Sequence, residues 1–94
     1  MALYLISYDI SEKDAFEYQG LWDRLKDLGA VRILYSEWAV IAEVGQANTL
    51  YARIAPATQM KDRLLVQELT KGAQWDKLLI TDEAFRKLLS YARG

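Results

Sequence analysis

The chain has 94 residues, a length that predicts one domain with one modest hydrophobic core. Cysteine and histidine are both absent, which excludes disulfide scaffolds, zinc sites of the Cys/His type and nucleophilic catalysis with a histidine base. The 12 basic and 13 acidic residues give a net charge of −1, which argues against a dedicated high-affinity nucleic-acid binder but allows a local basic patch on a symmetric dimer.

The first predicted elements are a strand and a helix. The segment from Ala2 to Ile10 has the length and the β-branched and aromatic composition of a strand. Both of its alternating residue sets are largely apolar, which predicts a central strand that is covered on both faces. Ser11 is the expected cap of a helix whose apolar residues recur at the i, i+3, i+4, i+7 spacing, and Gly29 is placed to end it.

The middle of the chain predicts two more strands, a weaker helix and a fourth strand. Alternating residues over Val31 to Ser36 and Trp38 to Val44 favour a hairpin. A helix is expected from Ala47 to Ile54, and Pro56 ends it. The fourth strand covers Leu64 to Leu69.

The order of these elements predicts an α+β fold, a ferredoxin-like βαββαβ sandwich with an antiparallel sheet and two helices on one face. The core is expected over residues 2–70, followed by an extension at residues 71–94 within the same domain. In that extension, Trp75 to Ile80 is typical of a short fifth strand or an extended arm, and Thr81 is placed to cap a last helix.

The second face of the predicted sheet is also apolar and needs a cover. The simplest way to cover it is a homodimer in which the two sheets meet through this open face. The extension is expected to contribute to covering the face. No apolar run approaches the roughly 20 residues that span a bilayer, and the first residues carry no basic leader. We therefore expect a soluble cytoplasmic protein with no membrane partner.

Three segments carry a resemblance to known families: YLISYDIS at residues 4–11, VRILYSEW at residues 31–38 and DRLLV at residues 62–66. Over residues 3–69 the chain resembles the small CRISPR-associated endoribonucleases, the partner subunit of the spacer-acquisition integrase. It is also similar to virulence-associated protein D, a toxin-like ribonuclease, and more closely to small bacterial proteins labelled SinR-like. Leu34 and Trp38 stand where the CRISPR-associated family often has Gln and Phe.

The resemblance implies a ferredoxin-like homodimer with Asp9 near the two-fold axis, where two symmetry-related carboxylates would hold one divalent cation. Without Cys or His, metal ligands must be oxygen atoms, which favours Mg²⁺ or Mn²⁺. Asp9 is therefore the candidate catalytic and metal-binding residue. The alternative is that Asp9 only stabilises the positive end of the first helix.

Other candidate site residues lie on the second and third strands. Arg32 and Ser36 are predicted to share a face and to hold a phosphate, although Arg32 would also suit a solvated edge strand. Trp38 is more typical of the core or an interface than of a residue that stacks on a base. Glu37 and Glu43 are either additional metal ligands or surface charges.

Two functions follow as hypotheses. The first is a metal-dependent phosphodiesterase that acts on RNA or DNA, with Mg²⁺ or Mn²⁺ and no organic cofactor. The second is a non-catalytic dimeric scaffold of the same fold that binds nucleic acid or regulates a partner. A small-molecule-sensing dimer is a third hypothesis, with no sequence feature beyond the fold to favour it.

Overall fold

The computed structural model describes residues 1–11 and 15–92, with the backbone alone for residues 15–17. The described elements are four strands, three α-helices and one 3₁₀ turn: β1 (Ala2–Asp9), α1 (Ala15–Asp27), β2 (Val31–Leu34), β3 (Glu37–Ala42), α2 (Ala47–Ile54), the 3₁₀ turn (Ala55–Ala57), β4 (Arg63–Leu69) and α3 (Asp82–Leu89). The predicted helix start at Ser11 depends on residues 12–14, which lie outside the described residues.

The four strands form one antiparallel sheet in the order β2-β3-β1-β4. β1 is a central strand, as predicted, and it pairs with β3 from Ala2 to Ser7 and with β4 from Leu3 to Asp9. The hydrogen-bonding register places Ser7 opposite Glu37 and Asp9 opposite Arg63. The same register decides which side chains meet at the end of the sheet where β1 finishes.

The first face of the sheet packs against α1 and α2. Tyr4 and Ile6 of β1 are fully buried there. The helices and β3 complete this core with Tyr18, Leu21, Leu25, Trp38, Val40, Leu50 and Ile54. Burial raises the pKa of Tyr4, whose hydroxyl lies near the Glu43 carbonyl and the Glu68 carboxylate and accepts a hydrogen bond from the Gln46 amide.

The second face is covered in part by the C-terminal extension of the same chain. Phe85 of α3 is buried against Leu3, Ile33 and Ala39. Trp75 packs edge-on against Phe85, with ring centroids 4.8 Å apart. Thr81 caps α3 as predicted, since its hydroxyl accepts a hydrogen bond from the Ala84 amide at 3.0 Å.

The prediction of a fifth strand over Trp75 to Ile80 is wrong, and the extended arm is what the structure contains there. The arm contributes one backbone hydrogen bond to the edge of the sheet, from the Leu79 amide to the Ile33 carbonyl at 2.9 Å. Lys77 has φ of +55°, a left-handed conformation that interrupts an extended strand. The predicted third strand is also too long, because the chain turns after Ala42 and Gly45 has φ of +79°.

Among the described residues, none of the helices combines the length and the apolar character that a bilayer-spanning segment requires.

Candidate functional site

A cleft opens on the second face of the sheet, at the end that the C-terminal extension leaves uncovered. Its volume is about 380 Å³. Its walls come from the end of β1, the tip of the β2–β3 hairpin and the start of β4. The residues that line it are Ser7, Tyr8, Asp9, Leu34, Ser36, Glu37, Arg63, Leu64 and Leu65. Apolar Leu34 and Leu65 therefore border a group of polar and charged side chains.

Strand pairing brings these residues together from distant parts of the sequence. Glu37 begins β3 opposite Ser7, and Arg63 begins β4 opposite Asp9. The hairpin tip is tied to β1 because the Tyr8 amide donates a hydrogen bond to the Ser36 carbonyl at 3.0 Å. Since neighbouring strands lie about 4.8 Å apart, Ser36 and Arg63 flank β1 at roughly twice that spacing.

Asp9 ends β1 and lines the cleft, and its side chain is 74% exposed. Its carboxylate oxygen lies 3.6 Å from a guanidinium nitrogen of Arg63, which is 84% exposed. An ion pair this open to solvent contributes about 1 kcal/mol at most to folding. A ligand that binds Asp9 or Arg63 can therefore break this ion pair at a small cost in free energy.

Glu37 supplies a second carboxylate, held in place by Ser7. The Ser7 hydroxyl donates a hydrogen bond to the Glu37 carboxylate at 2.8 Å, and both residues are half-buried. The other glutamate considered for this role, Glu43, lies beyond the opposite end of β3, where its backbone carbonyl faces Tyr4. The structure thus brings one of the two glutamates to Asp9's end of the sheet.

The donor set of the cleft has the chemistry that a hard cation prefers, namely carboxylate and hydroxyl oxygens. The number of ligands from one chain is small. Within residues 1–11 and 15–92, no group of three acidic side chains converges to hold a metal ion. Asp9 and Glu37 of one chain would therefore need water, substrate or a second copy of the chain to complete a coordination shell.

Of the two residues predicted to hold a phosphate, Ser36 lines the cleft and Arg32 does not. The Arg32 guanidinium donates two hydrogen bonds to the Tyr35 carbonyl, at 3.1 and 2.6 Å. That guanidinium lies 5.1 Å from the ring centroid of Trp22, on the side of the sheet that carries the helices. The cationic side chain that lines the cleft is instead Arg63.

Trp38 is a core residue, as its position among apolar neighbours predicts. It is 3% exposed, and its indole N–H donates a hydrogen bond to the Tyr8 hydroxyl at 3.0 Å. The Trp22 indole donates to the same hydroxyl at 3.2 Å. Tyr8 therefore links the first helix to the sheet directly beneath the cleft.

Sequence reasoning missed Arg63 as a residue of the site. The signal that could have found it is the Asp62-Arg63 pair at the start of the last strand, read together with Asp9 at the end of the first. In an antiparallel pair these two strand ends are adjacent. The register that sets Asp9 opposite Arg63 follows from β1–β4 pairing, which one sequence does not specify.

The cleft presents two carboxylates, two serine hydroxyls and one guanidinium to whatever enters it. The guanidinium can pair with a phosphate and the carboxylates can bind a cation or accept a proton. No protein-family model matches the chain.

Proposed function

We propose that this chain is a ferredoxin-like homodimeric phosphodiesterase that depends on Mg²⁺ or Mn²⁺ and acts on RNA or DNA. The order β-α-β-β-α-β and the sheet order β2-β3-β1-β4 support the ferredoxin-like assignment. The three segments that resemble CRISPR-associated and toxin-type ribonucleases support the reaction class. All three supply walls of the cleft. The first contributes Ser7 to Asp9, the second contributes Leu34, Ser36 and Glu37, and the third contributes Arg63 to Leu65.

The exposed Asp9 carboxylate at the end of the central strand is the observation that carries the proposal. It lies in a concave site with Glu37 on one neighbouring strand and Arg63 on the other. A phosphodiester that enters the cleft would meet the Arg63 guanidinium, which neutralises phosphate charge. The Asp9 and Glu37 carboxylates would hold the cation, and Ser7 would keep Glu37 in its orientation through the 2.8 Å hydrogen bond.

The homodimer is proposed to form through the part of the second face that α3 and the arm leave open. Leu34 and Leu65 are exposed there, beside Asp9. A two-fold axis through this open end brings two Asp9 carboxylates together and completes the small ligand set of a single chain. A divalent cation bound there supplies the Lewis acidity for attack on phosphorus by water or by a ribose 2′-hydroxyl.

The decisive variant is Asp9→Asn, which keeps the size of the side chain and removes its charge. We expect purified wild-type protein to cleave single-stranded RNA or double-stranded DNA with Mg²⁺ or Mn²⁺ and to be inactive in EDTA. The variant should lose cleavage by a factor of at least about 100, because it weakens both cation binding and catalysis. Gel analysis of labelled substrates measures both effects.

Asp27→Asn is the matched control, because Asp27 is an exposed aspartate at the end of α1 on the other side of the sheet. Its cleavage rate should equal that of the wild type. Light scattering should give the same mass for Asp9→Asn as for the wild type. Full cleavage by Asp9→Asn would contradict the assignment of Asp9.

The Asp9–Arg63 ion pair favours a second candidate, a non-catalytic dimeric scaffold that binds nucleic acid or regulates a partner. In this alternative Arg63 binds phosphate, and Asp9 serves to position Arg63 across the 3.6 Å contact. It predicts salt-sensitive binding without cleavage at any metal concentration. Arg63→Gln would then weaken binding, whereas Arg24→Gln, an exposed arginine on α1, would not.

A further inference from the structure

Tyr35 is an aromatic residue that the fold leaves in solvent at the tip of the β2–β3 hairpin, between two residues that line the cleft. It follows β2 at the tip of the hairpin and is 77% exposed. The tyrosines of the sheet and of α1, by contrast, are buried: Tyr4, Tyr8 and Tyr18. Aromatic side chains are enriched in binding surfaces, and this exposed ring lies next to two residues that line the cleft.

The backbone beneath this ring is held firmly. The Tyr35 carbonyl accepts two hydrogen bonds from Arg32, at 3.1 and 2.6 Å, and one from the Tyr8 hydroxyl at 3.4 Å. Arg32 is itself packed against Trp22 and Trp38, with its guanidinium 5.1 and 5.8 Å from their ring centroids. The backbone that carries the ring is therefore already ordered. A ligand that packs on the ring loses little binding free energy to ordering of the protein.

The ring is on the side of the hairpin tip away from the cleft. Its two neighbours in sequence, Leu34 and Ser36, line the cleft, and Tyr35 does not. The Arg32 guanidinium lies 5.9 Å from the centroid of the Tyr35 ring, and Arg32 lies on the helix side of the sheet. A chain of nucleotides that leaves the cleft past Ser36 would meet Tyr35 next, even when a second copy covers the open sheet face.

We propose that Tyr35 stacks on an unpaired base of a single-stranded nucleic acid whose adjacent phosphate lies in the cleft. This inference rests on the proposed function and narrows its substrate class to single strands, since a base within a duplex cannot present its face to a side chain. Stacking tolerates every base because each has a π-face, so the site selects for strandedness and not for sequence. The Arg32 guanidinium, 5.9 Å from the centroid of the Tyr35 ring, adds positive charge where the strand would pass Tyr35 outside the cleft.

The test is a binding measurement that does not depend on catalysis. Fluorescence anisotropy in Ca²⁺, a divalent cation that takes oxygen ligands, gives the affinity of the protein for short labelled single strands of RNA and DNA and for the matching duplexes. We expect single strands to bind more tightly than duplexes. Tyr35→Ala should weaken single-strand binding about 5- to 150-fold, which is the effect expected when one base–aromatic stack is lost, whereas Tyr35→Phe and Tyr35→Trp should retain the affinity.

Tyr51→Ala is the matched control. Tyr51 is 49% exposed on α2, away from the cleft, and its removal should leave the affinity unchanged. Circular dichroism and light scattering should show the same fold and mass for Tyr35→Ala as for the wild type. Altered mass would make Tyr35 an interface residue and would overturn the inference.

The remaining outcomes separate this inference from the proposed function. Equal affinity of Tyr35→Ala and the wild type, a preference for duplexes, or no binding by the wild type would each overturn the stacking role. Binding that depends on Tyr35 without any cleavage would support the stacking role and contradict the phosphodiesterase. Cleavage that depends on Asp9 with an unchanged KM in Tyr35→Ala would support the phosphodiesterase and contradict stacking.

Discussion

Asp62 joins the turn before β4 to Ser11 after β1 and to Tyr18 of α1, which are distant in the sequence. One carboxylate oxygen accepts hydrogen bonds from the Ser11 amide at 2.7 Å, the Ser11 hydroxyl at 2.9 Å and the Tyr18 hydroxyl at 2.9 Å. The other accepts from the Gln59 amide at 2.7 Å. Partial burial acts to raise the pKa of Asp62, but these hydrogen bonds outweigh it and hold the pKa below its usual value.

Asp62→Asn should destabilise the protein by about 1–2 kcal/mol at neutral pH, because a neutral amide accepts these hydrogen bonds less strongly and its NH₂ group opposes one of the donors. A lowered pKa stabilises the folded state fully above the unfolded value of about 3.9 and loses that effect as the pH falls through the folded value. The difference between the two proteins should therefore shrink below about pH 4. Urea unfolding at several pH values measures it.

Asp76→Asn serves as the control for this prediction, since Asp76 is an exposed aspartate of the C-terminal arm. Its free energy of unfolding should follow that of the wild type within about 0.5 kcal/mol. A difference between Asp62→Asn and the wild type that stays constant down to acid pH would contradict the role of the Asp62 charge. The loss of stability in Asp62→Asn would then come from altered packing and not from the lost charge.

At the scale of elements, the end of α1 is specified by Gly29. Gly29 has φ of +82°, its amide donates to the Lys26 carbonyl at 2.9 Å, and the Ala30 amide donates to the Leu25 carbonyl at 3.0 Å. This pair of hydrogen bonds is the Schellman arrangement, which requires a left-handed residue. Gly20 lies inside the same helix, and a methyl group added there would meet nothing within 4 Å.

The two glycines therefore predict opposite effects of the same substitution. Gly29→Ala should destabilise the protein by about 1 kcal/mol, because alanine is strained at positive φ. Gly20→Ala should stabilise it by about 0.5–1 kcal/mol, because alanine favours the helix and restricts the unfolded chain. Thermal unfolding followed by circular dichroism distinguishes them, and a shift of the same sign in both variants would contradict this account.

The elements that could be predicted from the sequence are those with a local signal. The i, i+3, i+4, i+7 spacing and Gly29 located α1, and apolar residues in both alternating sets located β1 as a central strand. Over Trp75 to Ile80 the sequence allowed either a strand or an extended arm, and the left-handed Lys77 and a single backbone hydrogen bond to the sheet make it an arm. Those features depend on tertiary contacts, which no local pattern contains.

The sequence also predicted part of the site. Asp9 and Ser36 were recognised from their positions at the ends of strands and from the resemblance, and both line the cleft. Arg32 was expected to join them because strict alternation puts it on the face of Ser36. Arg32 pairs opposite Trp38 and lies on the helix side near Trp22, but the register shifts between Arg32 and Leu34. The residues after the shift therefore depart from simple alternation, and Ser36 lines the cleft without Arg32.

At the scale of the whole molecule, the sheet has two apolar faces and the chain covers most of both. The second face needed a cover, and the sequence allowed either a partner or the extension. The structure places α3 and the arm of the same chain over Leu3, Ile33 and Ala39. The proposed dimer contact is thereby confined to the open end of the sheet, where Leu34 and Leu65 are exposed beside Asp9.

Phe85→Ala tests this division between self-coverage and dimerisation. Phe85 is 3% exposed and lies 4.8 Å from Trp75 between ring centroids, so its truncation should cost about 3 kcal/mol in the free energy of unfolding. The uncovered apolar surface should also increase the mass measured by light scattering. Tyr91→Ala, which removes a 40% exposed ring after α3, should change neither quantity. An unchanged urea midpoint in Phe85→Ala would show that α3 does not stabilise the sheet, and the whole second face would then be open to a partner.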